Sequence, residues 1–333
     1  MARTKQVVRR LEIVIALLVV VIVALALYIM YPYIQLSVQG QPYGNRLTGI
    51  NTPLSSQQLS VINDAPNSYF ETAGEMMLNL SIPGEQYQNG TYFGPLFEVS
   101  LAKPLQYNSL VINGKPSVVY IGAISCIYCG ENRWAMGLAL SRFGSFANLY
   151  TGYSSIGDGD VPTLYWSQQN ITTKAKAGYG NSYSSNYINF FSVEYDSPIT
   201  AGFEFPTSTY PIQFFTANAT NSSYAAAMSF MNMTNMFQGT PFTFWGMSLN
   251  RGADAVVFGN GTSQTEISNN IPLTFMSHDQ VYSLLQGFNS TFAYEEYAAA
   301  DVYIAETCPS INYSAAICSL PAIRTIDSKM GLS

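Results

Sequence analysis

The chain has 333 residues, enough for one or two domains with a real core, so it does not need disulfides in order to fold. Its 14 Lys and Arg face 20 Asp and Glu, and a formal charge of −6 argues against a nucleic-acid partner. Only 10% of residues are charged, and a polar surface made mainly of Tyr, Ser, Asn and Thr keeps its hydration when carboxylates titrate, which points to an acidic outside medium.

At the N-terminus Arg3, Lys5, Arg9 and Arg10 precede the uncharged stretch Ile13–Met30, which Tyr31, Pro32, Tyr33 and Ile34 extend. The stretch reaches the roughly 20 residues that a spanning helix needs. By the positive-inside rule, residues 1–10 are cytoplasmic, 11–34 form a single transmembrane helix at the cell membrane, and the rest is extracellular. A cleaved signal peptide is the competing reading, because Ala24-Leu25-Ala26 resembles a small-residue cleavage site. Both readings export the remainder. Without the four N-terminal bases and Glu12, the exported part has 10 basic against 19 acidic side chains, a balance of −9. It also carries nine N-x-[ST] acceptors, Asn79, Asn89, Asn170, Asn218, Asn221, Asn232, Asn260, Asn289 and Asn312, the mark of a glycoprotein.

Residues 35–60 are rich in Gly, Pro, Ser and Gln with little periodicity, which predicts a stalk or irregular arm before a folded domain over 61–333. Asn67–Leu78 is expected to be a short helix. In SLVINGKPSVVYIGA, Asn113-Gly114 separates two β-rich runs, a hairpin signal, and the apolar run Val118–Ala123 suits a central strand covered on both faces. After Cys126 the period becomes helical. Trp134, Ala135, Met136, Leu138, Ala139, Leu140 and Phe143 form an apolar surface, Arg133 and Arg142 its wetter side, and Gly144 its stop. Further strands are expected in FANLYTGYSS, TLYWS, YINFFSVEY, FTFWG and ADAVVFG. Helices are expected in SYAAAMSFMNM, SHDQVYSLLQGF and TFAYEEYAAADVYIAETC. The pattern is α/β, with a sheet between helical layers.

Four cysteines allow three pairings, and spacing favours Cys126–Cys129 and Cys308–Cys318. A C-x-x-C that opens a helix behind a buried strand is the thioredoxin-like arrangement. The free N–H groups and partial positive charge of the first helical turn stabilise a thiolate there. Cys126, nearer that end, is expected to attack, and Cys129, one turn in, to resolve the mixed disulfide. Cys308 and Cys318 suit a structural bridge.

The segment KPSVVYIGAISCIYCGENRWAMGLALSRFG, residues 115–144, resembles the signature of an archaeal membrane-anchored thioredoxin-like family known as domain of unknown function 929. Glu131, Arg133, Trp134, Ser141, Arg142, Phe143 and Gly144 match its pattern, while Ile127 replaces its usual proline and Asn132 is an insertion in E-R-W. The likeness extends more loosely to the late cysteine pair, and it implies a thioredoxin-like domain with insertions. GTPFTFWG, residues 239–246, is similar to a stretch of exported disulfide oxidoreductases in which a cis proline faces the C-x-x-C. That likeness implies a substrate-binding role for Thr240 and Pro241, with Asp160-Val161-Pro162-Thr163 as the alternative.

Other chemistries compete. Zinc on four cysteines lacks the usual second spacing, Met228, Met231, Met233 and Met236 would offer thioethers to Cu(I), and the single His278 reads as a surface residue at a helix start. The leading expectation is an extracytoplasmic membrane-anchored thiol–disulfide oxidoreductase that needs no metal or diffusible cofactor, acts on protein thiol or disulfide clients and is recycled by a redox partner. The rival is a glycosylated envelope protein that keeps the fold for assembly, with an inert Cys126–Cys129 disulfide.

Overall fold

The computed structural model describes residues 49–82, 86–88, 91–93, 97–100, 105–106, 109–124, 126–154, 161–169, 178–195, 215–233, 242–245, 248–251, 256–258, 273 and 276–332. They belong to one compact unit, Gly49–Ser333. No helix among them is long and apolar enough to cross a membrane, and the apolar run Ile13–Met30 lies outside them.

The unit opens with helices α1 (Ser56–Asn63) and α2 (Asn67–Leu78), then strands β1 (Gln86–Gln88), β2 (Thr91–Phe93), β3 (Phe97–Ser100), β4 (Leu105–Gln106), β5 (Val111–Ile112) and β6 (Lys115–Ala123). Helix α3 (Ile127–Leu140) precedes β7 (Gly144–Phe146), β8 (Tyr150–Ser154), β9 (Val161–Tyr165), β10 (Gly178–Tyr179), β11 (Tyr183–Ser185) and β12 (Asn189–Tyr195). Next come α4 (Ser222–Met233), β13 (Phe242–Trp245), β14 (Ser248–Arg251) and β15 (Val256–Phe258). The chain closes with α5 (His278–Gly287), α6 (Thr291–Thr307), 3-10 turns at Cys308–Ile311 and Ala316–Ser319, and α7 (Pro321–Lys329).

This is a mixed α/β unit. Its main sheet runs β10-β12-β6-β13-β14-β4, with β5 paired to β6. Strand β12 lies parallel to β6, from Asn189 opposite Ser117 to Tyr195 opposite Ala123. Strand β13 is antiparallel to β6, with Phe242 opposite Ile121, and β14 returns antiparallel to β13. The β5–β6 hairpin turns at Asn113 and Gly114, both at positive φ of 51° and 78°, as the Asn-Gly signal requires. A second sheet runs β1-β2-β3-β15, and β7–β11 and β8–β9 form two-stranded pairs.

Side chains alternate across a strand, so β6 divides the core in two. Val118 and Tyr120, with Phe190 and Trp245, join the larger cluster against α1, α2, α3, α5, α6 and α7. Val119 and Ile121, with Phe191, Val193 and Phe244, meet Tyr224, Ala227, Met228 and Met231 of α4. Those two methionines therefore fill the smaller core, while the Met233 side chain and Met236 lie outside what the structure describes.

Of the arm expected over 35–60, residues 35–48 lie outside the described residues, and from Ser56 the chain is helical. Ser55 caps α1 in a capping box, its side chain bonding the N–H of Gln58 while the Gln58 side chain reaches back. Helix α3 is also drier than expected, with every residue from Cys129 to Leu140 buried, including Arg133. Arg142, expected on the wetter side of α3, donates to the carbonyls of Ile62, Asn63 and Ala65 at the C-terminus of α1. Gly144 is not the stop, because Ser141 caps α3. Its lack of a side chain matters to the β7–β11 pairing, where a β-carbon would lie 2.3 Å from the Ser184 carbonyl oxygen.

Helix α6 is the buried axis, packed against α2, α3 and α7. It brings Glu296 and Asp301 into the interior, and Glu131 joins them from α3. Burial pushes the carboxyls of Glu296 and Asp301 well up, Glu296 further by the charge of Glu131 and Asp301 by that of Glu71. In the unfolded chain these groups lose protons near pH ~4, whereas the folded chain holds them to higher pH. Between those limits the folded state binds more protons, so this contribution to stability falls as pH rises. The melting temperature of the full-length chain is expected to be higher at about pH 4 than at about pH 8; a rise across that interval would contradict it.

Candidate functional site

The site forms where β6 hands over to α3. Pairing with β12 continues one residue past β6, since the Ile124 N–H donates to the Tyr195 carbonyl at 2.8 Å. The Cys126 N–H then turns back to the Ala123 carbonyl at 3.2 Å, and the helix starts at Ile127. Cys126 is the N-cap, with extended backbone (φ −76°, ψ 121°), and its sulfur accepts the Cys129 N–H at 3.4 Å. Sulfur thus takes the place that Ser or Asp oxygen usually holds at a helix start, facing a free backbone donor.

The two sulfurs have different surroundings. Cys126 is half-buried and Cys129 wholly buried, and neither is disulfide-bonded. Burial pushes the Cys129 thiol well up; the hydrogen bond and charge of Cys126 add to this, and Arg133 opposes it. The Glu131 carboxyl, in the next turn, is pushed well up by burial and then by the charge of Cys126. Tyr128 is raised by burial, then by Cys126 and Glu131.

Beneath the sulfurs lies Arg133, wholly buried. Its Nε donates to Glu194 Oε1 at 2.8 Å and one terminal nitrogen to Oε2 at 2.7 Å, a two-pronged ion pair with β12. The same terminal nitrogen reaches the Ala123 carbonyl at 3.2 Å, and the other reaches Ser154 Oγ at 3.2 Å and Thr163 Oγ1 at 3.4 Å. Burial works against the guanidinium charge, and Glu194, Tyr120 and Cys129 together more than restore it. The Glu194 carboxyl is pushed up by burial and pulled back by Arg133. Expecting Arg133 on a wet face was wrong because β12 and the β8–β9 hairpin close over that side of α3.

That hairpin covers the first turn of α3. Thr163 Oγ1 donates to the Gly130 carbonyl at 2.5 Å, and Trp134 Nε1 donates to the Pro162 carbonyl at 3.0 Å. A β-carbon on Gly130 would lie 2.7 Å from Ser154 Oγ, so only glycine permits this approach. Pro162 stands in β9 opposite Tyr153. His278, expected at the surface, is tied to the hairpin: its Nε2–H donates to the carbonyls of Gly152 at 2.7 Å and Thr163 at 3.1 Å, and its ring meets Tyr153 edge-on. Burial lowers its pKa. The inserted Asn132 is buried and accepts the Tyr303 hydroxyl of α6 at 2.7 Å.

Thr240 and Pro241 lie outside the described residues, as do Asn89, Asn170 and Asn260. Asn79, Asn218, Asn221, Asn289 and Asn312 are exposed, and Asn232 lies in α4. Cys308 and Cys318 form a disulfide with Cα atoms 5.7 Å apart, which removes them from any zinc site. Among the described residues no group of His, Cys, Asp or Glu is placed to hold a metal ion. Sequence reading missed Glu194 and Ser154, and named Thr163 only beside the alternative proline, Pro162. The usable signal was Glu194 in FFSVEY, an ionisable residue inside an apolar strand, which demands a buried partner.

A family model described as a domain of unknown function (DUF929) matches residues 103–243, a span that includes Cys126, Cys129, Arg133 and Glu194. No curated protein and no solved structure matches the chain.

Replacing Arg133 alone strands a buried carboxylate. Arg133→Met is expected to lower stability by about 3–5 kcal/mol in denaturant titration, and Arg133→Met with Glu194→Leu to recover most of that loss. Equal losses in the single and double variants would show that the pair's charges are not coupled.

Proposed function

We propose that this chain is a membrane-anchored, extracytoplasmic thiol–disulfide oxidoreductase with a thioredoxin-like core. The observation that carries the reading is the half-buried sulfur of Cys126 at the N-cap of α3, within 3.4 Å of the Cys129 N–H and three residues from a second, buried thiol. A helix N-terminus favours an anion at that point, and partial exposure lets a client sulfur approach.

The topology supports the thioredoxin-like part. The order of elements β6, α3, β12, α4, β13, β14 builds neighbours β12-β6-β13-β14, with β12 parallel and β13 antiparallel to β6. Helices α3 and α4 pack on opposite faces of that sheet. Phe242, the residue after Pro241 in sequence, pairs with Ile121, five residues before Cys126, which is consistent with Pro241 shaping the peptide-binding edge. Membrane anchoring rests on the N-terminal apolar stretch, and glycosylation on the sequons, five of which are exposed.

In the reaction, the Cys126 thiolate attacks a client disulfide and expels one client sulfur as a thiolate. Cys129 then loses its proton and attacks Cys126 Sγ, breaking the mixed disulfide. The client gains two electrons, the pair becomes the Cys126–Cys129 disulfide, and a redox partner restores it. Run backwards, the same steps oxidise a client.

With glutathione disulfide as the client, the Cys129→Ser chain is expected to hold glutathione on Cys126, seen as a reductant-sensitive mass increase. The Cys126→Ser chain is expected to hold none. Equal labelling of both variants, or of neither while the wild-type pair stays unreactive, would overturn the proposal and favour the envelope-protein reading.

A further inference from the structure

We propose that the buried Arg133–Glu194 pair is the charge-setting element of the C-x-x-C: Arg133 is a positioning residue that favours the thiolate of Cys129, and Glu194 limits that effect by compensating its charge. The inference rests on the oxidoreductase reading above and assigns a means of control to the same site.

Cys129 must lose a proton to resolve a mixed disulfide, yet it lies in the interior, where an isolated anion is costly. Several neighbours make the cost worse or leave it unchanged. Cys126 comes from its own segment, Tyr120 from β6, Glu194 from β12 and Tyr303 from α6. Each is neutral or negative when it titrates. Among the described residues, Arg133 is the cation that acts on Cys129, one helical turn further along α3.

Its position is fixed by partners on three elements. Glu194 takes two of its donors from β12, Ser154 and Thr163 face a third from the hairpin, and the Ala123 carbonyl takes a further bond. That last bond bears directly on the redox turn, because the same carbonyl accepts the Cys126 N–H at 3.2 Å. A lysine would present a point charge without the fork that reaches all of these groups together. Geometry and charge are thus supplied by one side chain, and Glu194 decides how much of the charge the sulfurs feel.

The two roles separate by charge-altering variants. Glu194→Gln keeps the shape and one acceptor while leaving Arg133 uncompensated, so the reduced pair is stabilised and the Cys126–Cys129 disulfide becomes more oxidising. The expected change is about tenfold in the equilibrium constant with glutathione, which is about 30 mV. Arg133→Met with Glu194→Leu removes both charges, leaves none stranded and is expected to shift the equilibrium the opposite way. A structural role alone would not reverse the sign. Opposite shifts in folded full-length chains support the inference. Wild-type equilibrium in both variants, or a shift of the same sign in both, overturns it while leaving the oxidoreductase reading intact. A wild-type pair that never equilibrates with glutathione removes that reading, and this inference with it.

Discussion

The fork between Arg133 and Glu194 is the constraint around which the site is organised. A guanidinium cannot shed its charge, so burying it obliges the fold to supply a carboxylate and further acceptors in a fixed geometry. The fold supplies them from β12, from the β8–β9 hairpin and from the last residue of β6. Such a pair does little for net stability compared with well-packed apolar groups, but it penalises any arrangement that separates its partners. The penalised arrangements include those in which α3 slides on the sheet, and the position of Cys126 follows from that restriction.

Burial of α3 then decides where chemistry can occur. From Cys129 onwards the helix has no wet face, since the sheet, the hairpin and α6 enclose it. The partly buried residues Cys126, Ile127 and Tyr128 are therefore the part a solute can approach. The interior behind that turn is acidic rather than purely apolar, with Glu131, Glu296 and Asp301 buried. Carboxyls of this kind are tolerated most easily when protonated.

Much of this was legible in the sequence. Asn67–Leu78, the Asn-Gly hairpin, the central strand, α3 and the three late helices were readable because period and turn chemistry are local properties. Helix α1 was hidden by composition, although its Ser-x-x-Gln capping box was present at Ser55 and Gln58. The solvent side of α3 was misread for a different reason. A lone arginine on a helix looks like a wet face, and only the tertiary partner Glu194, 61 residues away, makes it interior. His278 was misread the same way, since its acceptors Gly152 and Thr163 lie 126 and 115 residues away. Local signals locate an element; what covers it is set by contacts that spacing does not encode.

The two cysteine pairs illustrate the division of labour that results. Cys308–Cys318 closes a loop of moderate length between α6 and α7, where a crosslink removes real freedom from the unfolded chain. Cys126 and Cys129 stand three residues apart, where a bond would restrain little, and one of their sulfurs already has a backbone donor that a disulfide would not need. For a pair that adds so little as a crosslink, and stands at a helix start one turn from a buried cation, we propose electron exchange rather than support. The difference between the pairs lies in their surroundings: one lies within the larger core between α6 and α7, and the other pairs a half-buried cysteine at the start of α3 with a buried one.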